Sequence, residues 1–169
     1  MKHTIGIIAV GLLAAGCQPQ QQPDPRIGAI ADRLAIDQLV AGDYPRALDA
    51  RDWDAYAATY TEDGEIALGG QSAKGREAIK GFVGALPPDP RVIHVISNLS
   101  YTIEGDTATG GAYWQDVGLV DGKPGVAAAG HYDDALRKVN GEWLFSKRSI
   151  VIDFQAPSEA AEETTQGSD

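Results

Sequence analysis

Two residues carry side chains suited to moving a proton. Asp49 follows Ala47 and Leu48, apolar residues that should face a core. Its carboxylate is therefore either solvated on the far side or buried with a partner, because a lone buried carboxylate is costly. His94 stands in a run of Val92, Ile93, Val95 and Ile96. Strand alternation puts Val92, His94, Ile96 and Asn98 on one face, so the imidazole shares a side with apolar groups. Such a histidine either completes a core through a hydrogen bond or exchanges protons with a bound molecule. His131 neighbours Tyr132 and points the opposite way in a regular strand, to the exterior or the rim. A metal site built from Asp49, His94 and His131 lacks any close-spaced ligand pair, so no metal is expected.

Aromatic side chains accompany these groups. Tyr113, Trp114 and Tyr132 fall on predicted strands, and Trp53 falls on a predicted helix. Aromatics on a curved sheet either line a cavity or fill a core, and Tyr132 is the strongest candidate for a cavity wall.

Two kinds of element must position these residues. Ile27, Ile30, Ala31 and Leu34 recur at helical spacing, and the stripe continues through Ile36, Leu39 and Val40. Gly42 and Pro45 then predict a kink or break, with Asp43 capping the resumed turn. Asp52 reads as the N-cap of a short helix holding Trp53, Tyr56, Ala57 and Tyr60 on one side. A third helix is predicted from Arg76 through Ile79, Phe82 and Val83 to Leu86, where Pro87-Pro88 stops it.

The period then changes. Residues 92–104 and 107–120 read as strands around Gly105-Asp106, and 125–139 and 142–154 as a pair around Asn140-Gly141, a strong hairpin dipeptide. Asp121-Gly122-Lys123-Pro124 supplies the turn between the pairs. The expected fold class is α+β: a cone-like, curved antiparallel sheet packed by three N-terminal helices around a pocket.

The ends read differently. Lys2 precedes an apolar run over residues 4–15, too short for a permanent span, so residues 1–16 read as a signal peptide. The run ends at Leu13-Ala14-Ala15-Gly16-Cys17, which looks like a lipobox, with Cys17 as the acylated anchor. Residues 17–25, rich in Gln and Pro, form a tether. The domain covers 26–155, and 156–169 is an acidic tail expected to be disordered. Gln18 after the cysteine favours an outer-membrane lipoprotein facing the periplasm.

The chain has 169 residues and a net charge of −10, with 24 acidic residues against 14 Lys and Arg, so it lacks the clustered cations that hold a phosphate backbone. No nucleic-acid partner is expected, and membrane contact is expected through the anchor alone.

Four segments resemble the SnoaL-like family of the nuclear-transport-factor-2-like superfamily. They are Tyr44-Pro45-Arg46-Ala47-Leu48-Asp49-Ala50-Arg51-Asp52-Trp53-Asp54, Gly75-Arg76-Glu77-Ala78-Ile79 with Phe82, His94 with Asn98, and Gly141-Glu142-Trp143-Leu144-Phe145-Ser146-Lys147-Arg148. The resemblance spans residues 31–153 in order. It implies a cone-shaped fold and, from dehydratase and dehydrochlorinase members, a catalytic Asp at Asp49, a catalytic His at His94 and an active-site Arg at Arg148. Tyr44 takes the place of an active-site Lys. There are departures: Leu48 stands where the dehydratase has a tyrosine, its second histidine falls near Val120, and one extra residue lies between Ile36 and Asp49.

Taken together, the resemblance makes Asp49 the partner that fixes the His94 tautomer, so that the other ring nitrogen can remove a proton from carbon. Arg148 would stabilise developing negative charge, or else pair with the acidic excess. Tyr44, Trp53, Trp114 and Tyr132 would contact the substrate. The expected activity is that of a lyase or isomerase, of the dehydratase or dehydrohalogenase type, acting without cofactor on a small apolar ring compound. The alternative is a non-catalytic protein that binds a small hydrophobic ligand or serves as an assembly subunit. Family members commonly self-associate, so a homo-oligomer is also an expectation.

Overall fold

The computed structural model describes residues 24–86 and 92–156. The expected signal peptide, Cys17, the tether as far as residue 23 and the tail beyond residue 156 lie outside them.

Helix α1 (Pro25–Gln38) starts where Asp24 accepts a hydrogen bond from the Arg26 amide and Pro25 occupies the first turn. It leads directly into a π-helical turn (Leu39–Asp43) and then α2 (Tyr44–Ala50). Proline at residue 45 has no amide to give the carbonyl four residues back, and the wider turn is closed instead by the Tyr44 amide on the Leu39 carbonyl. The expected break is thus a widened turn. Asp43 makes no side-chain cap, and its carboxylate accepts from Gln38 Nε2 at 2.7 Å.

Arg51, in the left-handed region at φ 54°, ends α2. Asp52 caps α3 (Trp53–Ala58) through the Ala55 amide at 3.0 Å, as its sequence position predicts. The hairpin β1 (Tyr60–Leu68) and β2 (Gln71–Lys74) comes next, and then α4 (Arg76–Gly84). The sequence analysis predicts no strand in this region, and among the described residues the α-helices number four. Strands β3 (Ile93–Glu104), β4 (Thr107–Val120), β5 (Lys123–Val139) and β6 (Glu142–Gln155) complete one six-stranded curved sheet in the order β2-β1-β6-β5-β4-β3. All neighbours are antiparallel except β1 and β6, which run parallel, so the sheet is mixed at that edge.

The sheet bends through bulges. Between Ser97 and Ser100, β3 carries two residues against one on β4, and Asn98 sits in the bulge at φ 51°. Beyond it Leu99, Tyr101 and Ile103 face the core, while Asn98 is exposed. The expectation that Asn98 shares the face of His94 therefore fails, because the bulge breaks the alternation. A second bulge on β6 at Ser146 turns Arg148 inward after the inward-facing Phe145. Simple alternation would have sent Arg148 out.

The helices cover the concave face. Ile36, Val40, Tyr44 and Ile79 meet Ile66, Ala112, Leu136 and Phe145 in one buried cluster. Asp32 ties α1 to the far end of the sheet, accepting from Lys138 Nζ at 2.6 Å and Trp143 Nε1 at 3.0 Å.

Candidate active site

A cavity of about 660 Å³ lies between the helices and the concave sheet. Its walls are mainly apolar: Trp53 and Tyr56 from α3, Phe82 and Val83 from α4, Ile66 from β1, Trp114 from β4, Tyr132 from β5 and Ile150 from β6. Its polar groups are Asp49 and Arg51 near the end of α2, His94 on β3, Asp116 on β4 and Gln155 at the end of β6, with the tyrosine hydroxyls. An apolar chamber with a few converging polar groups is the usual form of a small-molecule site.

Asp49 and His94 meet across 45 residues of sequence. Asp49 Oδ1 lies 2.6 Å from His94 Nδ1, and the His94 backbone amide donates to the same oxygen at 3.3 Å. The side chains are 30% and 17% exposed, so the pair sits in the cavity wall with limited access to water. The short contact to a carboxylate puts a proton on Nδ1. The opposite nitrogen, Nε2, lies 3.2 Å from Oδ1 of Asp116, whose side chain is also 17% exposed. Asp116 pairs directly with His94 in the β3–β4 register and shares the inward face with Ala112 and Trp114. Sequence reasoning missed it. The signal was available, since Trp114 was already assigned to the pocket and Asp116 stands two residues further along the same strand.

All four expected aromatic contacts line the cavity: Tyr44, Trp53, Trp114 and Tyr132. Trp114 stacks on Tyr132 with ring centres 6.1 Å apart, and Tyr132 meets Tyr44 edge-on at 5.8 Å. The Tyr56 hydroxyl donates to the Tyr44 hydroxyl at 2.9 Å. Burial pushes the Tyr56 and Tyr132 hydroxyls well above their ordinary range, so both are neutral polar groups at any physiological pH. Tyr113 is different: it projects from the opposite face of β4 and is 55% exposed.

Arg148 does not line the cavity. It is completely buried behind the aromatic wall, its guanidinium carbon 4.2 Å from the Tyr44 ring centre and 3.9 Å from those of Tyr132 and Phe145. Asp134 clasps it with two hydrogen bonds, Nε to Oδ1 at 2.8 Å and Nη2 to Oδ2 at 2.7 Å. Tyr101 adds its hydroxyl to Asp134 Oδ2 at 2.5 Å. The expectation that Arg148 faces a bound molecule is corrected: its charge is already neutralised, and aromatic rings cover it. His131 lies on the opposite face from Tyr132, 2.9 Å from Asp153, in agreement with an exterior position. Among the described residues no three potential ligands cluster to hold a metal.

Residues 28–149 match the SnoaL-like domain family. The chain belongs to this family. It is 34% identical over 86 residues to the uncharacterized protein Rv2910c of Mycobacterium tuberculosis, covering 49% of this chain; the match spans 58% of the relative, so the chain spans little more than half the length of the curated relatives it matches. Among solved structures, a single-residue variant of Rv3472 of Mycobacterium tuberculosis, a protein of unknown function, superposes with a TM-score of 0.71 at 26% identity, covering 77% of this chain and 76% of that one. A hexachlorocyclohexane dehydrochlorinase (LinA) Type2 superposes at 0.68 with 21% identity over 79% of this chain and 93% of that one. A putative scytalone dehydratase from Novosphingobium aromaticivorans superposes at 0.67 with 22% identity, covering 79% and 92%. At those identities the last two likenesses establish the fold, which is NTF2-like and cystatin-like.

Proposed function

We propose that this SnoaL-like protein is a cofactor-free lyase or isomerase acting on a small, largely apolar ring compound. The observation that carries this reading is the 2.6 Å contact between Asp49 and His94 in the wall of an aromatic-lined cavity. Asp49 holds the Nδ1 proton and orients the ring, which leaves Nε2 as the basic atom. A substrate whose carbon acid is activated by a neighbouring carbonyl gives its proton to Nε2. Its electron pair then either expels a group from the adjacent carbon or shifts along a conjugated system. The fold neighbours whose names describe a dehydrochlorinase and a putative dehydratase support elimination as the reaction type.

The reading extends to location. Cys17, following its lipobox-like run, anchors the mature protein in a membrane on the periplasmic side, and the domain takes its ligand from that compartment.

The test is a turnover screen of ring ketones bearing a leaving group β to the carbonyl, with product read by the absorbance of the conjugated enone. Asp49→Asn and His94→Ala should each lower kcat by about 100- to 10,000-fold, with little change in KM. Ligands that bind the wild-type cavity but are never turned over, with both variants binding equally well, would replace the enzyme by a binding protein for hydrophobic ligands.

A further inference from the structure

The elimination reading assigns a base but no acid, and the cavity contains a candidate. Asp116 Oδ1 lies 3.2 Å from His94 Nε2, on the side of the ring opposite Asp49. The two atoms are close enough for an ion pair, although they do not meet hydrogen-bond geometry. With the Nδ1 proton directed at Asp49, Nε2 and a carboxylate oxygen this near would be two acceptors facing each other, which is relieved when one of the groups carries a second proton. That proton sits either on Nε2, facing a carboxylate, or on Asp116, facing a neutral ring. Asp116 and His94 both line the cavity, and each is accessible enough to meet a bound molecule.

We propose that Asp116 is the general acid of this site and that its position suits the cavity to neutral alcohols, which it dehydrates. This inference rests on the elimination reading. In the reactive state Asp116 carries the second proton and Nε2 is free to accept one. Nε2 takes the proton from the carbon beside a carbonyl, and the electrons of that C–H bond become the new C=C bond. The C–O bond to the neighbouring carbon breaks, its electron pair leaves with the hydroxyl oxygen, and Asp116 gives that oxygen its proton, releasing water. The site then holds an imidazolium facing a carboxylate 3.2 Å away. One transfer from Nε2 to Asp116 restores the starting state, so no outside acid or base is consumed.

The same geometry argues for hydroxyl over halide. Hydroxide is a poor leaving group and needs a proton as it departs, which Asp116 supplies. A halide needs no proton and departs as an anion, for which a fixed cation would be the useful group. Arg148 cannot serve, because Asp134 neutralises it behind the rings of Tyr44 and Tyr132. Arg51 does line the cavity, but it is exposed, where water and salt screen its charge.

The experiment compares a β-hydroxycyclohexanone with its β-chloro analogue, both followed by the appearance of the enone. Asp116→Asn should lower kcat for the hydroxy compound by about 100-fold or more, and for the chloro compound at least tenfold less. His94→Ala should depress both alike. Equal losses on the two compounds, or no loss on either, would overturn Asp116 as the acid while leaving the Asp49–His94 base in place. Turnover of neither compound by the wild-type protein would set aside elimination itself. A wild-type rate higher for the chloro compound than for the hydroxy compound, corrected for their uncatalysed rates, would overturn the substrate class. If Asp116→Asn does not fold, as judged by its melting curve, Asp116→Ser takes its place in the same comparison.

Discussion

Asp134 and Arg148 are paired directly across β5 and β6 and joined by two hydrogen bonds in complete burial. Replacing Asp134 by Asn would leave the guanidinium without its counter-charge among aromatic rings. Losing one partner of a buried pair costs about 3–5 kcal/mol, and urea denaturation should show a loss of that size. A second change, Arg148→Met, should recover part of it, since the uncompensated charge is then gone. A loss below about 1 kcal/mol in Asp134→Asn would mean that the pair behaves like an exposed one.

Gly130 sits opposite Trp114 in the β4–β5 register, and a Cβ there would fall 1.9 Å from the Val151 carbonyl oxygen and 2.9 Å from the Trp114 ring. Gly130→Ala must part β5 from β6 and displace the indole that stacks on Tyr132. Overpacking of this kind destabilises by about 1–3 kcal/mol. Gly28 in α1 has nothing within 4 Å of its would-be Cβ. Gly28→Ala should therefore raise stability by about 0.5–1 kcal/mol. Thermal melts of the two variants should move in opposite directions.

His131 gives a pH dependence with a definite sign. Its hydrogen bond with Asp153 raises the imidazole above its ordinary 6.5, so the folded chain holds that proton more tightly than the unfolded one. The stabilisation is complete below the unfolded value and is lost as pH rises through the folded one. With the imidazole 36% exposed, the effect is under about 1 kcal/mol. The fall in Tm from about pH 6 to about pH 8 should be smaller in Asp153→Asn than in the wild type. Equal slopes would show that the pair contributes nothing.

Cys17→Ser should move the protein from the membrane fraction to the soluble periplasmic fraction, because the lone cysteine is the proposed acylation site. Retention in the membrane fraction after this change would mean that another feature holds the protein there.

Strands β4, β5 and β6 were legible because the turns between them are written in residues that tolerate positive φ. Asn140 and Gly141 stand at 53° and 88°, and Asp121 and Gly122 at 51° and 73°, each pair where a turn was expected. The β1–β2 hairpin was not read, since Gly64 and the charged residues 62, 63 and 65 break the alternation of β1. The Asp49–His94 meeting came from a family likeness and not from spacing. Arg148 was misplaced for a physical reason. A single extra residue at Ser146 exchanges the two faces of β6, and no local pattern marks a bulge whose Ser146 hydroxyl is satisfied by the Ala135 carbonyl 3.0 Å away.

The π-helical turn at residues 39–43 has a consequence for where Asp49 points. An ordinary helix advances about 100° per residue, so one added residue would swing every later side chain a quarter-turn or more around the axis. A wide turn absorbs that residue without rotating the turns beyond it. Upstream, Ile36 is fully buried; downstream, Asp49 still reaches His94. The extra residue counted between Ile36 and Asp49 therefore changes the length of the chain and leaves the angular phase of the helix intact. Shortening this segment by one residue within the wide turn should keep the carboxylate aimed at the imidazole, whereas the same deletion in α2 would carry it away.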